Sequence, residues 1–222
     1  SALGEKKEYE KFIKKSLSKN IKTNFIYKTQ SPTIIKKRYV DHINNNKILG
    51  VYSINDNKLD KKNEIKLEKI LLRLIPKHDL IIVSDFGHGF ISKSIAKKIS
   101  NKSKFTALNA QINAANIGYQ TMENYKNVEC VIINENELRH QLRNKDGLLI
   151  PLMKTLANKL KTLNLVVTQG NLGALIYNKK LNKVYKCPAF ASKVVDKIGA
   201  GDAMLALLAL SLQKKYDKYF SL

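Results

Sequence analysis

Four short, almost uninterrupted apolar runs constrain this chain more than any other feature of its sequence. They are Leu80-Ile81-Ile82-Val83, Phe105-Thr106-Ala107-Leu108, Val128-Glu129-Cys130-Val131-Ile132-Ile133 and Leu165-Val166-Val167-Thr168. A strand with one wet face alternates apolar and polar residues, whereas a continuous run fits a parallel strand covered by helices on both faces. A helix is expected from Ser92, after the first run, and another over Leu148 to Leu163, before the last. The strand-then-helix order predicts an α/β fold: three layers, doubly wound, with a mostly parallel sheet.

Other elements surround that core. Glu5 to Ser18 reads as a charged surface helix with Tyr9, Phe12, Ile13 and Leu17 in one stripe, and Glu64 to Ile75 as an amphipathic helix stopped by Pro76. Thr33 to Val40 and Lys47 to Ile54 flank Asn44-Asn45-Asn46, residues suited to a tight turn, and predict a β hairpin. A second hairpin is expected from Ala174 to Tyr177 with Val184 to Cys187, then a strand over Lys193 to Asp196 and a helix from about Ala200. There are no repeats and no Pro/Ser linker. The expected organisation is one α/β domain, residues 1–30 and 57–222, with a small β protrusion at 31–56.

At 222 residues the chain is long enough to bury roughly 70% of its unfolded surface without disulfides or a structural metal. Its longest apolar stretch, Met204 to Leu210, is far short of a membrane span, so no membrane partner is expected. Cys130 and Cys187 sit singly in apolar surroundings, which fits two structural thiols in a reducing cytoplasm. The start, Ser1-Ala2-Leu3-Gly4-Glu5, has neither an initiating Met nor a signal core, so the chain is expected to begin inside a longer polypeptide or at a cleaved tag. Forty Lys and Arg against 18 Asp and Glu give a net charge of +22. All but four of the bases are lysines, whereas base and phosphate recognition favours the guanidinium fork. A solvated lysine surface is the expectation, with no specific nucleic acid partner.

In an open α/β sheet ligands sit at the carboxyl ends of the strands, and the residues there carry the chemistry. Asp196-Lys197-Ile198-Gly199-Ala200-Gly201-Asp202 runs straight into an apolar helix. A strand, a glycine turn and a helix amino end gather unpaired N–H groups and the positive end of the helix dipole at one spot, which suits an anion. Gly199 and Gly201 allow close approach and unusual dihedrals, and Ala200 adds no bulk. Asp202 would repel a phosphate there unless it takes a proton from an attacking hydroxyl. Read alone, the same four residues also fit an ordinary turn with Asp202 as a cap.

The full string Asp196-x-x-Gly199-Ala200-Gly201-Asp202 resembles the carboxy-terminal signature of the ribokinase-like, or PfkB, family of carbohydrate kinases. Neither a P-loop nor a dinucleotide fingerprint occurs. Val167-Thr168-Gln169-Gly170-Asn171-Leu172-Gly173 resembles the family's VTxGxxG turn, which implies Thr168, Gly170 and Gly173 along the nucleotide phosphates. Asn134-Glu135-Asn136-Glu137 resembles its NxxE motif, implying Asn134 beside the nucleotide and Asn134 with Glu137 at a hydrated Mg²⁺, an ion that needs few direct protein ligands. Asp196 joins the nucleotide side.

Ser84-Asp85-Phe86-Gly87-His88-Gly89 resembles the SDYGKG segment of the heptose-phosphate kinase branch, and Ser31 to Arg38 its lid strand. Asp85, Lys36 and Arg38 are thereby implied in binding a sugar or sugar phosphate. His88 replaces the branch's lysine and reads equally as a solvent-exposed loop residue; Asn109-Ala110-Gln111 stands where an Asp-Pro-Lys type sequence is common. His42, His78 and His140 show no ligand spacing. The resemblance spans Ser31 to about Leu210, without the paired-glycine strand-helix-strand unit with which the family begins, so the kinase domain is expected to be incomplete at both ends.

The resemblance implies ATP-dependent phosphorylation of a sugar or sugar phosphate hydroxyl, with Asp202 as general base, the Gly199-Ala200-Gly201 backbone as anion hole, and ATP and Mg²⁺ as cofactors. It also implies pairing of two copies through the lid and fusion to a nucleotidylyltransferase. The alternative is a non-catalytic module that keeps the fold for nucleotide sensing or partner contacts.

Overall fold

The computed structural model describes residues 1–42, 47–111, 122–190 and 199–216. The chain divides into two compact units, Ser1–Leu71 with His88–Ser92, and Leu72–Gly87 with Lys93–Leu222.

In the first unit, β1 (Ala2–Gly4), α1 (Glu10–Ser16) and β2 (Ile26–Lys28) form a strand-helix-strand unit whose strands pair in parallel. This unit carries no paired glycines, and its two strands are not among the elements expected from the sequence, which predicts only a helix here. Each strand is three residues long, too short for any hydrophobic period to reveal it. Gly4 passes so close to the Pro32-Thr33 backbone that a side chain there would overlap it, and its N–H donates to Thr33 Oγ1 at 2.9 Å. β3 (Ile35–Val40) and β4 (Lys47–Ser53) form the expected antiparallel hairpin, with a register shift at Tyr39/Val40; Asn44 to Asn46 lie outside the described residues. α2 (Lys61–Leu74) begins three residues before its expected start because Asp60 caps it, accepting from Asn63 N–H at 2.9 Å. It ends, as expected, at the turn holding Pro76.

His88 belongs to this unit and is buried rather than solvent-exposed: its Nδ1 lies 2.6 Å from Asp56 Oδ1. Beside it the buried Lys28 donates to Asn55 O at 2.6 Å, and burial lowers the Lys28 pKa despite the charge of Asp56.

The second unit carries one six-stranded sheet: β5 (Ile81–Asp85), β6 (Thr106–Ala110), β7 (Cys130–Asn134), β8 (Asn164–Thr168), β9 (Ala174–Asn178) and β10 (Lys183–Cys187). They stand side by side in chain order: β5 to β8 run parallel, β9 runs antiparallel to β8, and β10 antiparallel to β9. Its helices are α3 (Lys93–Lys102), α4 (Glu135–Leu142), α5 (Leu149–Leu160) and α6 (Ala200–Gln213). The expected strand over 193–196 lies outside the described residues.

Alternation divides the apolar runs between two faces. Ala107, Cys130, Ile132, Val166, Ile176 and Tyr185 pack against Leu205, Leu208, Ala209 and Leu212 of α6. Leu108, Val131, Ile133, Leu165 and Val167, equally buried, point the other way, where α4 lies against β7 and α5 against β8. A doubly wound sheet therefore follows from the four runs. Burial pushes the Cys130 thiol up to about 12, so it behaves as a core residue.

Candidate active site

α6 starts where β5 ends. Gly199 takes φ +82° at its N-cap, a conformation that favours glycine, and the first intrahelical bond runs from Ala203 N–H to Gly199 O at 2.9 Å. The N–H groups of Ala200, Gly201 and Asp202 precede that bond and share the positive end of the helix dipole. Gly201 is helical, so of the two glycines expected to adopt unusual dihedrals only Gly199 does. A Cβ on either would meet no atom of the described residues within 4 Å. Asp202, in the first turn, is exposed, and Ser84 Oγ approaches its Oδ1 at 3.5 Å. Asp196 lies outside the described residues.

At the end of β5, Asp85 is only 5% exposed. Its Oδ1 accepts from Gly87 N–H at 2.9 Å and its Oδ2 from the hydroxyl of Tyr125 at 2.7 Å. Tyr125 is fully buried, and burial first, then the charge of Asp85, pushes its hydroxyl pKa up. The hydroxyl is thus a fixed donor. Tyr125→Phe is expected to cost about 2–3 kcal/mol of stability, since it strips a donor from a buried carboxylate; urea unfolding measures it, and a loss below about 0.5 kcal/mol would mean that the bond contributes nothing.

β7 runs directly into α4, a helix missed in the sequence because Leu138 is its one buried residue. Asn134-x-x-Glu137 was itself the available signal, since it forms a reciprocal capping box. Asn134 Oδ1 accepts from Glu137 N–H at 2.8 Å, and Glu137 Oε2 accepts from Asn134 N–H at 2.9 Å. Glu135, also missed, accepts from Arg139 at 2.7 and 3.0 Å and from Gln169 Nε2 at 2.8 Å, tying α4 to the turn after β8. The Gln169 bond, then Arg139, holds its carboxyl below the usual range.

Between the ends of β7 and β8 lies a cavity of about 500 Å³, lined by Asn134, Glu135, Asn136, Glu137, His140, Gln169 and Gly170. Thr168 closes β8, in register with Asn134 on one side and Ala174 on the other. Gly170 and Gly173, though both in the glycine turn, differ: Gly170 (φ +60°) has open space where a Cβ would sit, whereas Gly173 (φ +92°) is crowded by the Cys187 carbonyl.

Among the described residues no three His, Cys, Asp or Glu gather to hold a metal ion. The facing oxygens of Asn134 and Glu137 already accept from each other's backbone, so the pair suits contact with a magnesium ion through its water shell rather than direct ligation. In the first unit Arg38 is exposed and Lys36 half-buried; burial, then Arg38, lowers the Lys36 pKa.

A family model described as pfkB family carbohydrate kinase matches residues 1–218, extending the similarity well before Ser31. The bifunctional protein HldE of a Nitratiruptor species is 23% identical over 194 residues, 86% of this chain and 39% of that protein. The chain thus spans about two fifths of that curated relative's length. Phosphofructokinase-2 from Escherichia coli, solved in complex with potassium, superposes with a TM-score of 0.74 at 13% identity, over 97% of this chain and 69% of that one. Ribokinase from Thermotoga maritima gives 0.71 at 17% identity, over 99% and 69%. Among the described residues no helix is long and apolar enough to cross a membrane.

Proposed function

The chain belongs to the pfkB family of carbohydrate kinases, and on that premise we propose that it transfers the γ-phosphoryl group of ATP to a hydroxyl of a sugar or sugar phosphate, with Asp202 as general base. The observation that carries this reading is an exposed carboxylate in the first turn of α6, beside N–H groups that precede the helix's first bond.

In the proposed reaction the acceptor hydroxyl gives its proton to Asp202 as its oxygen bonds to the γ-phosphorus. The bond from that phosphorus to the β,γ-bridging oxygen breaks, and ADP leaves with the electron pair. The N–H groups of Ala200, Gly201 and Asp202 face the charge on the transferring phosphoryl oxygens, the position where preorganised donors lower a barrier most. Thr168, Gly170, Gly173, Asn134 and Asp196 are assigned to the nucleotide. The cavity beside Gly170 supports that assignment for the residues lining it. Mg²⁺, held through waters near Asn134 and Glu137, would offset phosphate charge. Lys36 and Arg38 are assigned to an anionic group on the acceptor. Asp85 is assigned to the sugar or sugar phosphate, its carboxylate held at the end of β5 by Tyr125 and the Gly87 N–H. The bifunctional relative supports a fused nucleotidylyltransferase in the whole protein, and the exposed hairpin supports pairing of two copies through the lid.

The test offers ATP, Mg²⁺ and a panel of sugars and sugar phosphates to the protein expressed from its full reading frame. ADP release matched by a product heavier by one phosphoryl group is expected. ADP release without such a product, or no release with any acceptor, would overturn the reading.

A further inference from the structure

Ser84 is exposed at the carboxyl end of β5, 118 residues from Asp202 in sequence, and its hydroxyl lies 3.5 Å from Asp202 Oδ1. An ionised carboxylate only accepts, so in this contact the hydroxyl is the donor. Asn109 stands opposite Ser84 in register, donates its Nδ2 to Ile132 O at 2.9 Å, and keeps a buried Oδ1 without a partner among the described residues. Among the described residues the hydrogen-bond contact of the Ser84 hydroxyl is with Asp202.

What holds Ser84 in place is the next residue. Along a strand successive side chains point to opposite faces, so Ser84 shares the α6 side with Ala107 and Asn109 on β6, while Asp85 points away from it. There Tyr125 and the backbone of Gly87 bind both Asp85 oxygens. With one side chain pinned inside the protein, the backbone at the strand end is fixed and its neighbour's direction with it.

We propose that Ser84 is the positioning residue for the Asp202 carboxylate: its hydroxyl engages Oδ1 and leaves Oδ2 turned to the acceptor hydroxyl. This rests on Asp202 being the base. A carboxylate on a short side chain rotates freely unless one oxygen is held, and proton abstraction is sensitive to that orientation. Ser84 touches neither substrate nor phosphate in this scheme.

The test compares Ser84→Ala, Ser84→Thr and Asp202→Asn by kcat and by KM for both substrates, and records the carbon-13 resonance of the Asp202 carboxyl at neutral pH. Ser84→Ala is expected to lower kcat about tenfold to a hundredfold with both KM values within about twofold, and to move the carboxyl resonance. Ser84→Thr, which keeps a hydroxyl, is expected to restore both. An unmoved resonance in Ser84→Ala overturns the contact whether or not the protein turns over. Unchanged kcat in Ser84→Ala, with Asp202→Asn inactive, overturns the positioning role and leaves the base standing. Undiminished kcat in Asp202→Asn overturns the base itself and the role of Ser84 with it.

Discussion

Asp202→Asn is expected to slow phosphoryl transfer about 10²- to 10⁴-fold, roughly 3 to 5 kcal/mol of barrier, with nucleotide affinity unchanged within about twofold. The amide has the shape of the carboxylate and still accepts at the position where Oδ1 meets Ser84. It cannot take the proton of the acceptor hydroxyl. The backbone donors at the start of α6 are untouched, because they depend on Gly199 and the helix rather than on the side chain at 202. Single-turnover rates with saturating acceptor, alongside calorimetric titration with a non-hydrolysable nucleotide, separate the two quantities. Turnover within about tenfold of the parent protein removes Asp202 from the role of base.

Gly173→Ala is expected to destabilise the fold by roughly 3 to 5 kcal/mol, the sum of backbone strain and overpacking. Gly173 has φ +92° and ψ −138°, a region open to glycine alone, and a methyl group there would overlap the Cys187 carbonyl and the backbone that follows it. Three residues earlier, Gly170 has φ +60° and empty space where a Cβ would sit. Gly170→Ala is therefore expected to lose only about 1 kcal/mol of stability and to weaken nucleotide binding, since its methyl group enters the cavity. Chemical unfolding and nucleotide titration of the two variants are expected to give opposite rankings. A Gly173→Ala protein as stable as the parent would show that the end of β10 yields to the added methyl.

The parts of the fold legible in the sequence are those whose residues are buried by type. The runs Leu80 to Val83 and Leu165 to Thr168 predict β5 and β8 to within two residues, because a strand covered on both faces admits little but apolar side chains. Pro76 ends α2 for a reason local to its ring. What escaped the reading depends on partners far away in the chain. β1 and β2 exist because they pair with each other across more than twenty residues. Asp85 is marked by its motif for sugar binding, but its bond to Tyr125, 40 residues on, has no local signal in the sequence. In the site, the strand-end motifs are visible as strings, but not the local packing each also carries: Asn134 and Glu137 cap a helix, Gly173 is crowded by the Cys187 carbonyl, and Gly170 borders the cavity. Glu135 and Gln169, unmarked in the sequence, meet only once β7 and β8 lie side by side.

The chain-order sheet of the second unit has a consequence for how the protein is made. Each strand after β5 pairs with the strand just before it, so the sheet can grow by one edge as the polypeptide leaves the ribosome, without waiting for a distant segment. The α6 turn is the exception. It returns from the far end of this succession to the first strand, where Asp202 meets Ser84. A nascent chain halted between Cys187 and Gly199 holds all six strands of the sheet but not Asp202, the carboxylate proposed as the base. On the proposed reading, capacity for reaction arrives only with the α6 turn, after all six strands of the sheet have been made.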